Sequence, residues 1–338
     1  MLYTKVLEKK QEMQGFTCNP VMDAFNLDLC KALDELAKND KYVKRRLYKT
    51  IDLLNRTEGL DFNDYFRSAF EVYNEAVIYY LLKLKGVTIN NIPEKKIPTP
   101  DFEVKFESEN NERELDIKSI FIEVKTLSFA EGNLQYCRAQ QSALEANIKL
   151  EDQFKRGRHV CSAEYEVVPF GAKVRSLTDE IEILINKIDQ NIKEEQYKYN
   201  DGKDTILLVS LSQYIFPCKD FESLPIYLEK HLKCCVSGRQ WMVAFGRIGD
   251  RVYIPCEFEG KPNIDDNLNN EGILNCYPYI KGIIFCSGSS VDDIHFYGFY
   301  RYKEYNSDSA RFIREICDLY NDDQNSNGYS LFDAMMLM

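Results

Sequence analysis

The sequence predicts an α/β fold in which a mixed central sheet is flanked by helices, with a helical extension at the N-terminus. Three observations carry this. Apolar residues recur at helical spacing through 20–57 and 61–85, strict alternation marks 97–106 and 115–127, and Ile206-Leu207-Leu208-Val209-Ser210-Leu211 is a nearly unbroken apolar run. The first pattern needs a period of 3.6, the second a period of 2, and the third a strand covered on both faces.

In chain order, Met22, Phe25, Leu29 and Leu33 predict one helix, and Asn39-Asp40 a break before a second over Tyr42–Leu54. A longer helix is expected over 61–85, ended by Gly86, with the stripe Phe62, Phe66, Phe70, Tyr73, Val77, Leu81 and Leu84. Beyond Val72 it is apolar almost all round, which predicts burial against a sheet. Val87–Ile89 reads as a short strand before a turn at Pro93. The strands 97–106 and 115–127 are expected to form a hairpin across the polar connection 107–114. A helix over 133–154 and a long basic loop over 155–176 follow, then a helix starting at Thr178-Asp179-Glu180. Farther on, 224–235 reads as a helix, 241–245, 252–254, 280–287 and 294–300 as strands that extend the sheet or form a second one, and 311–320 as a helix. The expected organisation is therefore an N-terminal helical extension at 1–60, a core at 61–212 interrupted by an insertion at 128–176, and a C-terminal α/β extension at 213–338.

The 338 residues are 44% hydrophobic and 13% aromatic, ample for a packed core. The first residues, Met1–Lys5, carry no apolar signal region, and no apolar run approaches the roughly 18 residues of a membrane span. A cytoplasmic location without a membrane partner is the expectation. The eleven cysteines form no Cys-x-x-Cys pair, which fits reduced thiols, with Cys286 as a small core residue. Only three histidines are present, none spaced as a zinc-ligand pair. A net charge of −11 excludes a surface that binds polyanions everywhere, so any nucleic-acid contact must be local. Two basic tracts provide candidates: Lys41–Lys49, and Lys155, Arg156 and Arg158 continuing to Lys173 and Arg175. Either also suits a solvated helix face or loop.

The residues that point to chemistry are Pro100-Asp101 at the start of one strand and Glu123-Val124-Lys125 within the next. Residues two apart in a strand share a face, so Glu123 and Lys125 point the same way. If pairing brings Asp101 alongside, two carboxylates and one amine converge, a set suited to a hard divalent cation and an oriented water. Glu-x-Lys alone means little, because it recurs at Glu8, Glu94, Glu103 and Glu259. Glu103-Val104-Lys105 is the internal rival, since it shares a strand face with Asp101. A turn aspartate and a solvated strand face would leave the same trace. Glu75 draws notice because its helical neighbours, Val72, Ile78 and Tyr79, are apolar, and a carboxylate there needs a counter-ion or a metal.

The Pro-Asp and Glu-x-Lys pair resembles the PD-(D/E)xK nuclease superfamily, which includes many restriction endonucleases and archaeal Holliday-junction resolvases. The likeness covers roughly 61–212. It implies a restriction endonuclease-like αβββαβ core and hydrolysis of phosphodiester bonds, in DNA ahead of RNA. It further implies Mg²⁺ or Mn²⁺ held by Asp101, Glu123 and the Val124 carbonyl, with Lys125 acting on the attacking water. Glu75 would complete the ion's shell, as a glutamate does on the corresponding helix of RecB-like members. Lys155, Arg156, Arg158, Lys173 and Arg175 are the expected phosphate contacts, and a homodimer is compatible with all of this. The alternative is a core that has lost activity and serves as a nucleic-acid-binding or assembly module.

Overall fold

The computed structural model describes residues 1–12, 22, 24–56, 62–93, 98–109, 115–128, 136–164, 176–199, 203–213, 235–254, 263–288, 294–324 and 329–331. They divide into two compact units, one of residues 1–77 and 129–173, the other of residues 78–128 and 174–338.

The first unit is helical. It contains α1 (Leu2–Glu12), α2 (Leu27–Leu36), α3 (Lys41–Asn55), the first part of α4 (Phe62–Leu84) and α5 (Tyr136–Lys155). The Asn26 side chain accepts from the Asp28 and Leu29 amides, each at 2.9 Å, and so opens α2. Asp40 does the same for α3 through Tyr42 and Val43. Such caps satisfy amides that have no partner inside the helix, and each contributes about 1 kcal/mol. The α1 helix was not expected from the sequence. Its N-terminus is capped from a distance by Asp34, which accepts from the Met1 ammonium and the Leu2 and Tyr3 amides. Phe25, Phe70 and Tyr73 pack as a ring cluster with centroids 4.8–5.5 Å apart.

The second unit is α/β. Its seven strands are β1 (Thr88–Asn91), β2 (Phe102–Glu109), β3 (Leu115–Ser128), β4 (Thr205–Gln213), β8 (Gly282–Ser287), β9 (His295–Tyr300) and β10 (Leu319–Asp322), in the spatial order β1-β2-β3-β4-β8-β9-β10. The sheet is mixed. β1, β2 and β3 are mutually antiparallel, β4 runs parallel to both β3 and β8, β9 is antiparallel to β8, and β10 is parallel to β9. The apolar run at 206–211 is thus central, as expected, and the two motif strands are the expected hairpin. Two short ladders stand apart: β5 (Cys235–Ser237) with β11 (Tyr329–Leu331), and β6 (Arg251–Ile254) with β7 (Asn263–Asn267).

Side-by-side residues of a ladder share a face. Phe102, Ile122, Ile206 and Gly282 are such neighbours. On their face lie Tyr79 against Phe102, and α10 (Asp308–Ile316), whose Phe312 meets Phe106. At Gly298 in β9 a Cβ would collide with Ile313 and Cys317, so a glycine is what lets α10 approach the sheet. The other face carries Glu103, Phe121, Glu123 and Lys125. The α6 helix (Leu177–Asp189), capped by Ser176, packs on β3, and α7 (Glu194–Tyr197) follows it. Gly86, at φ 84°, closes α4 in the left-handed region as expected.

Two expectations fail. Residues 241–245 form helix α8 (Arg239–Phe245), not a strand. A short apolar run fits a buried helix as well as a strand, and here every residue of the turn is buried, with Arg239 pairing Glu180 on α6. The helix expected over 311–320 starts at Asp308 behind a Ser307 cap and ends at Ile316, and 319–322 form the edge strand β10. The chain is turned there by Asp318, which accepts from the Phe296 amide at 2.8 Å while its own amide donates to the Phe296 carbonyl. The helix expected over 224–235 lies almost wholly outside the described residues. Cys30, Cys286 and Cys317 are buried as free thiols, and burial pushes that of Cys286 up to about 12. Among the described residues, no helix is long and apolar enough to cross a membrane.

Candidate metal centre

Asp101 is placed by backbone. Pro100, with no amide hydrogen, ends one register, and the Asp101 amide donates to the Ile122 carbonyl of β3 at 3.1 Å. Its carbonyl accepts from the Ile92 amide at 2.9 Å. Its carboxylate Oδ2 accepts from the Val124 amide at 2.8 Å, between the two motif residues of β3. Pairing therefore brings Pro100-Asp101 to Glu123-Lys125, as their spacing predicts.

Glu123 is only 2% exposed. The Lys125 ammonium donates to its Oε1 at 2.6 Å, and Gln196 Nε2 donates to the same atom at 2.7 Å. Gln196 also accepts from Lys125 at 3.4 Å and donates to the Thr99 carbonyl at 3.4 Å, so one amide ties together Glu123, Lys125 and the segment leading to Asp101. Both bonds use Oε1, and Glu123 Oε2 is buried with no hydrogen-bond partner. Next to Gln196, the buried Tyr197 hydroxyl is likewise unpartnered.

Burial pushes the Glu123 carboxyl up to about 8, and the nearby Asp101 carboxylate adds to this, while Lys125 and Gln196 pull it back. Two close carboxylates removed from water, with one ammonium between them, are short of positive charge. Tyr197 is held well above the usual phenol range, first by burial and then by Glu123 and Asp101. It stays a neutral O–H donor facing two acids. Asp101 and Glu123 supply the hard oxygen ligands that Mg²⁺ or Mn²⁺ prefers, and an orphaned carboxylate oxygen is a position that a cation would satisfy. Among the described residues no three His, Cys, Asp or Glu side chains come together, so these two carboxylates are the whole acidic set recognised there.

The other expected residues fall elsewhere. Glu75 faces Arg46 of α3, with Oε2 2.6 Å from the guanidinium. The counter-ion that its apolar surroundings demand is thus an arginine of the Lys41–Lys49 tract. Glu103 accepts from Ser119 at 2.8 Å and Lys203 at 2.7 Å, and Lys203 holds its carboxyl below the usual range. It is a satisfied surface acid and not a second orphan. Lys155 pairs weakly with Glu151 one turn back in α5. Arg156 and Arg158 are exposed just past that helix, in the first unit. Lys173 and Arg175 lie outside the described residues.

Sequence reasoning missed Gln196 as a member of the site. It considered Gln and Lys residues on the long helices, but the amide that reaches Glu123 sits on the four-residue α7, too short for any periodicity to register. Comparison with family models, with curated proteins and with solved structures finds no match to this chain.

Proposed function

We propose that the chain is a divalent-metal-dependent nuclease with a PD-(D/E)xK core, hydrolysing phosphodiester bonds in DNA ahead of RNA. The observation that carries this reading is Glu123 Oε2, a buried carboxylate oxygen without a partner, in a site where Asp101 supplies a second carboxylate and Lys125 an ammonium. An isolated structural ion pair would satisfy both oxygens or expose one to water, since an unmet buried oxygen costs about 1–3 kcal/mol. Support also comes from order. The succession α4, β1, β2, β3, α6, β4 is the αβββαβ sequence of the superfamily, with 128–176 inserted after the motif strand.

In this reading Asp101 and Glu123 hold Mg²⁺ or Mn²⁺. Bound there, the ion polarises the phosphoryl group and offsets its charge. Lys125 positions the attacking water on the face it shares with Glu123. Gln196 fixes the orientation of both side chains, and Tyr197 offers a neutral donor to an oxygen entering the site. Glu75 is not needed, since Arg46 neutralises it.

The test is a cleavage assay across duplex DNA, single-stranded DNA, branched DNA and RNA, with Mg²⁺, Mn²⁺ or EDTA. Metal-dependent cleavage lost in Asp101→Asn is expected. Cleavage that survives in Asp101→Asn, or none on any substrate, overturns the proposal, and binding without cleavage would return the chain to a nucleic-acid-binding module.

A further inference from the structure

From the acidic site a row of tyrosines steps toward the surface. Tyr197, buried beside Gln196, is 5.9 Å from Tyr279 between ring centroids, and Tyr279 is 5.6 Å from Tyr277. The inner ring is buried and the outer two are half-buried. The loop that carries the outer pair is rigidly held. The buried Arg301 guanidinium donates to the carbonyls of Ile280 at 2.8 Å, Tyr277 at 3.0 Å and Leu274. The Lys281 amide pins the loop's end to the Thr205 carbonyl at the start of β4. The Tyr277 hydroxyl donates to Asp189 at the end of α6. Arg301 spends all three of these bonds on this one loop. Rings whose faces are preset in this way lose little further freedom when something stacks on them.

The charges around the row say what can stack. Lys198 lies 5.3 Å from the Tyr279 centroid, but it is paired with Glu194. Glu195 and Asp189 add further negative charge around Tyr279. A closed duplex presents phosphates outward, and these would meet that acidic rim. Unpaired bases present neutral π faces, which tyrosine rings accept whatever the sequence.

We infer that the row Tyr197–Tyr279–Tyr277 is a stacking platform for unpaired nucleobases that leads to the Asp101–Glu123 site, so that the substrate is single-stranded or locally opened nucleic acid and not closed duplex. The direction of the row rests on the nuclease reading, whereas its stacking chemistry does not. DNA and RNA strands share base faces, and separate arms of the test distinguish them.

The experiment is fluorescence anisotropy with end-labelled single-stranded DNA, single-stranded RNA, the same DNA strand carrying abasic sites, and a hairpin-closed duplex, all in Ca²⁺ to separate binding from cleavage. Tyr279→Ala should weaken binding of both intact single strands roughly tenfold, and Tyr279→Phe should leave it unchanged, because only the ring is used. The abasic strand should bind wild type weakly and be insensitive to Tyr279→Ala. If Tyr279→Ala melts at a lower temperature than wild type, Tyr277→Ala carries the same expectation. Equal binding of intact and abasic strands, tighter binding of duplex than of single strand, or alanine variants that bind like wild type would overturn the inference. Cleavage in Mg²⁺, run in parallel, separates the two readings. Ring-dependent binding without cleavage sinks the nuclease and keeps the platform; cleavage with ring-independent binding does the reverse.

Discussion

Replacing Glu123 by glutamine should stabilise the metal-free protein at alkaline pH and remove a specific part of its pH dependence. The wild-type carboxyl titrates at about 8 instead of the usual 4.5 because it is buried beside Asp101. Between those values the folded protein keeps a proton that the unfolded chain has released. The stability this contributes is complete below pH 4.5, drains as pH rises, and is gone above about 8. Proton linkage over that interval amounts to about 3 kcal/mol between roughly pH 5.5 and roughly pH 9. Glutamine keeps the size of the side chain and its acceptor for Lys125 and Gln196, yet cannot ionise. The assay is urea unfolding of wild type and Glu123→Gln in EDTA at several pH values, read as the difference between the two proteins so that other titrating groups cancel. The variant should gain on wild type as pH rises. Adding Mg²⁺ at high pH should raise wild-type stability by mass action, by about 2.7 kcal/mol at a hundredfold excess over Kd, and leave the variant unmoved. A difference that is flat with pH would refute the electrostatic account of the site, and a Mg²⁺ response retained in the variant would remove Glu123 from the ion's ligands.

Three further outcomes are expected. Lys125→Ala should abolish cleavage while Mn²⁺ binding, followed by titration calorimetry, survives; turnover at the wild-type rate would remove Lys125 from the reaction. Arg239→Met should lower unfolding stability by about 3–5 kcal/mol, because Glu180, 0% exposed and 2.9 Å from Arg239, loses its counter-charge in the core; the double change with Glu180→Leu should recover most of that loss, and a single variant as stable as wild type would contradict it. Replacing Arg156 and Arg158 together by alanine should flatten the salt dependence of duplex DNA binding by roughly two units of logarithmic slope if both touch phosphates, and an unchanged slope would move the phosphate track elsewhere, with Lys44 and Arg45 the next residues to test.

The alternation of 97–106 and 115–127, the apolar run at 206–211 and the stripe of 61–85 were enough to read a mixed sheet with helices, because period and burial are local properties of a chain. The shared face of Glu123 and Lys125 was legible for the same reason, and so was their meeting with Asp101, since a hairpin of adjacent strands leaves few alternatives. The tertiary structure decided what lies across from those residues. Gln196 reaches Glu123 from 73 positions away, and Arg46 neutralises Glu75 across 29. Neither distance leaves a periodic trace. The 241–245 segment became a helix because the buried partner of Arg239 is on α6, and 319–322 became a strand because Asp318 locks to the backbone of β9. In each of these cases an apolar pattern allowed two conformations, and the need to pair a buried polar group chose between them, a need that only packing creates.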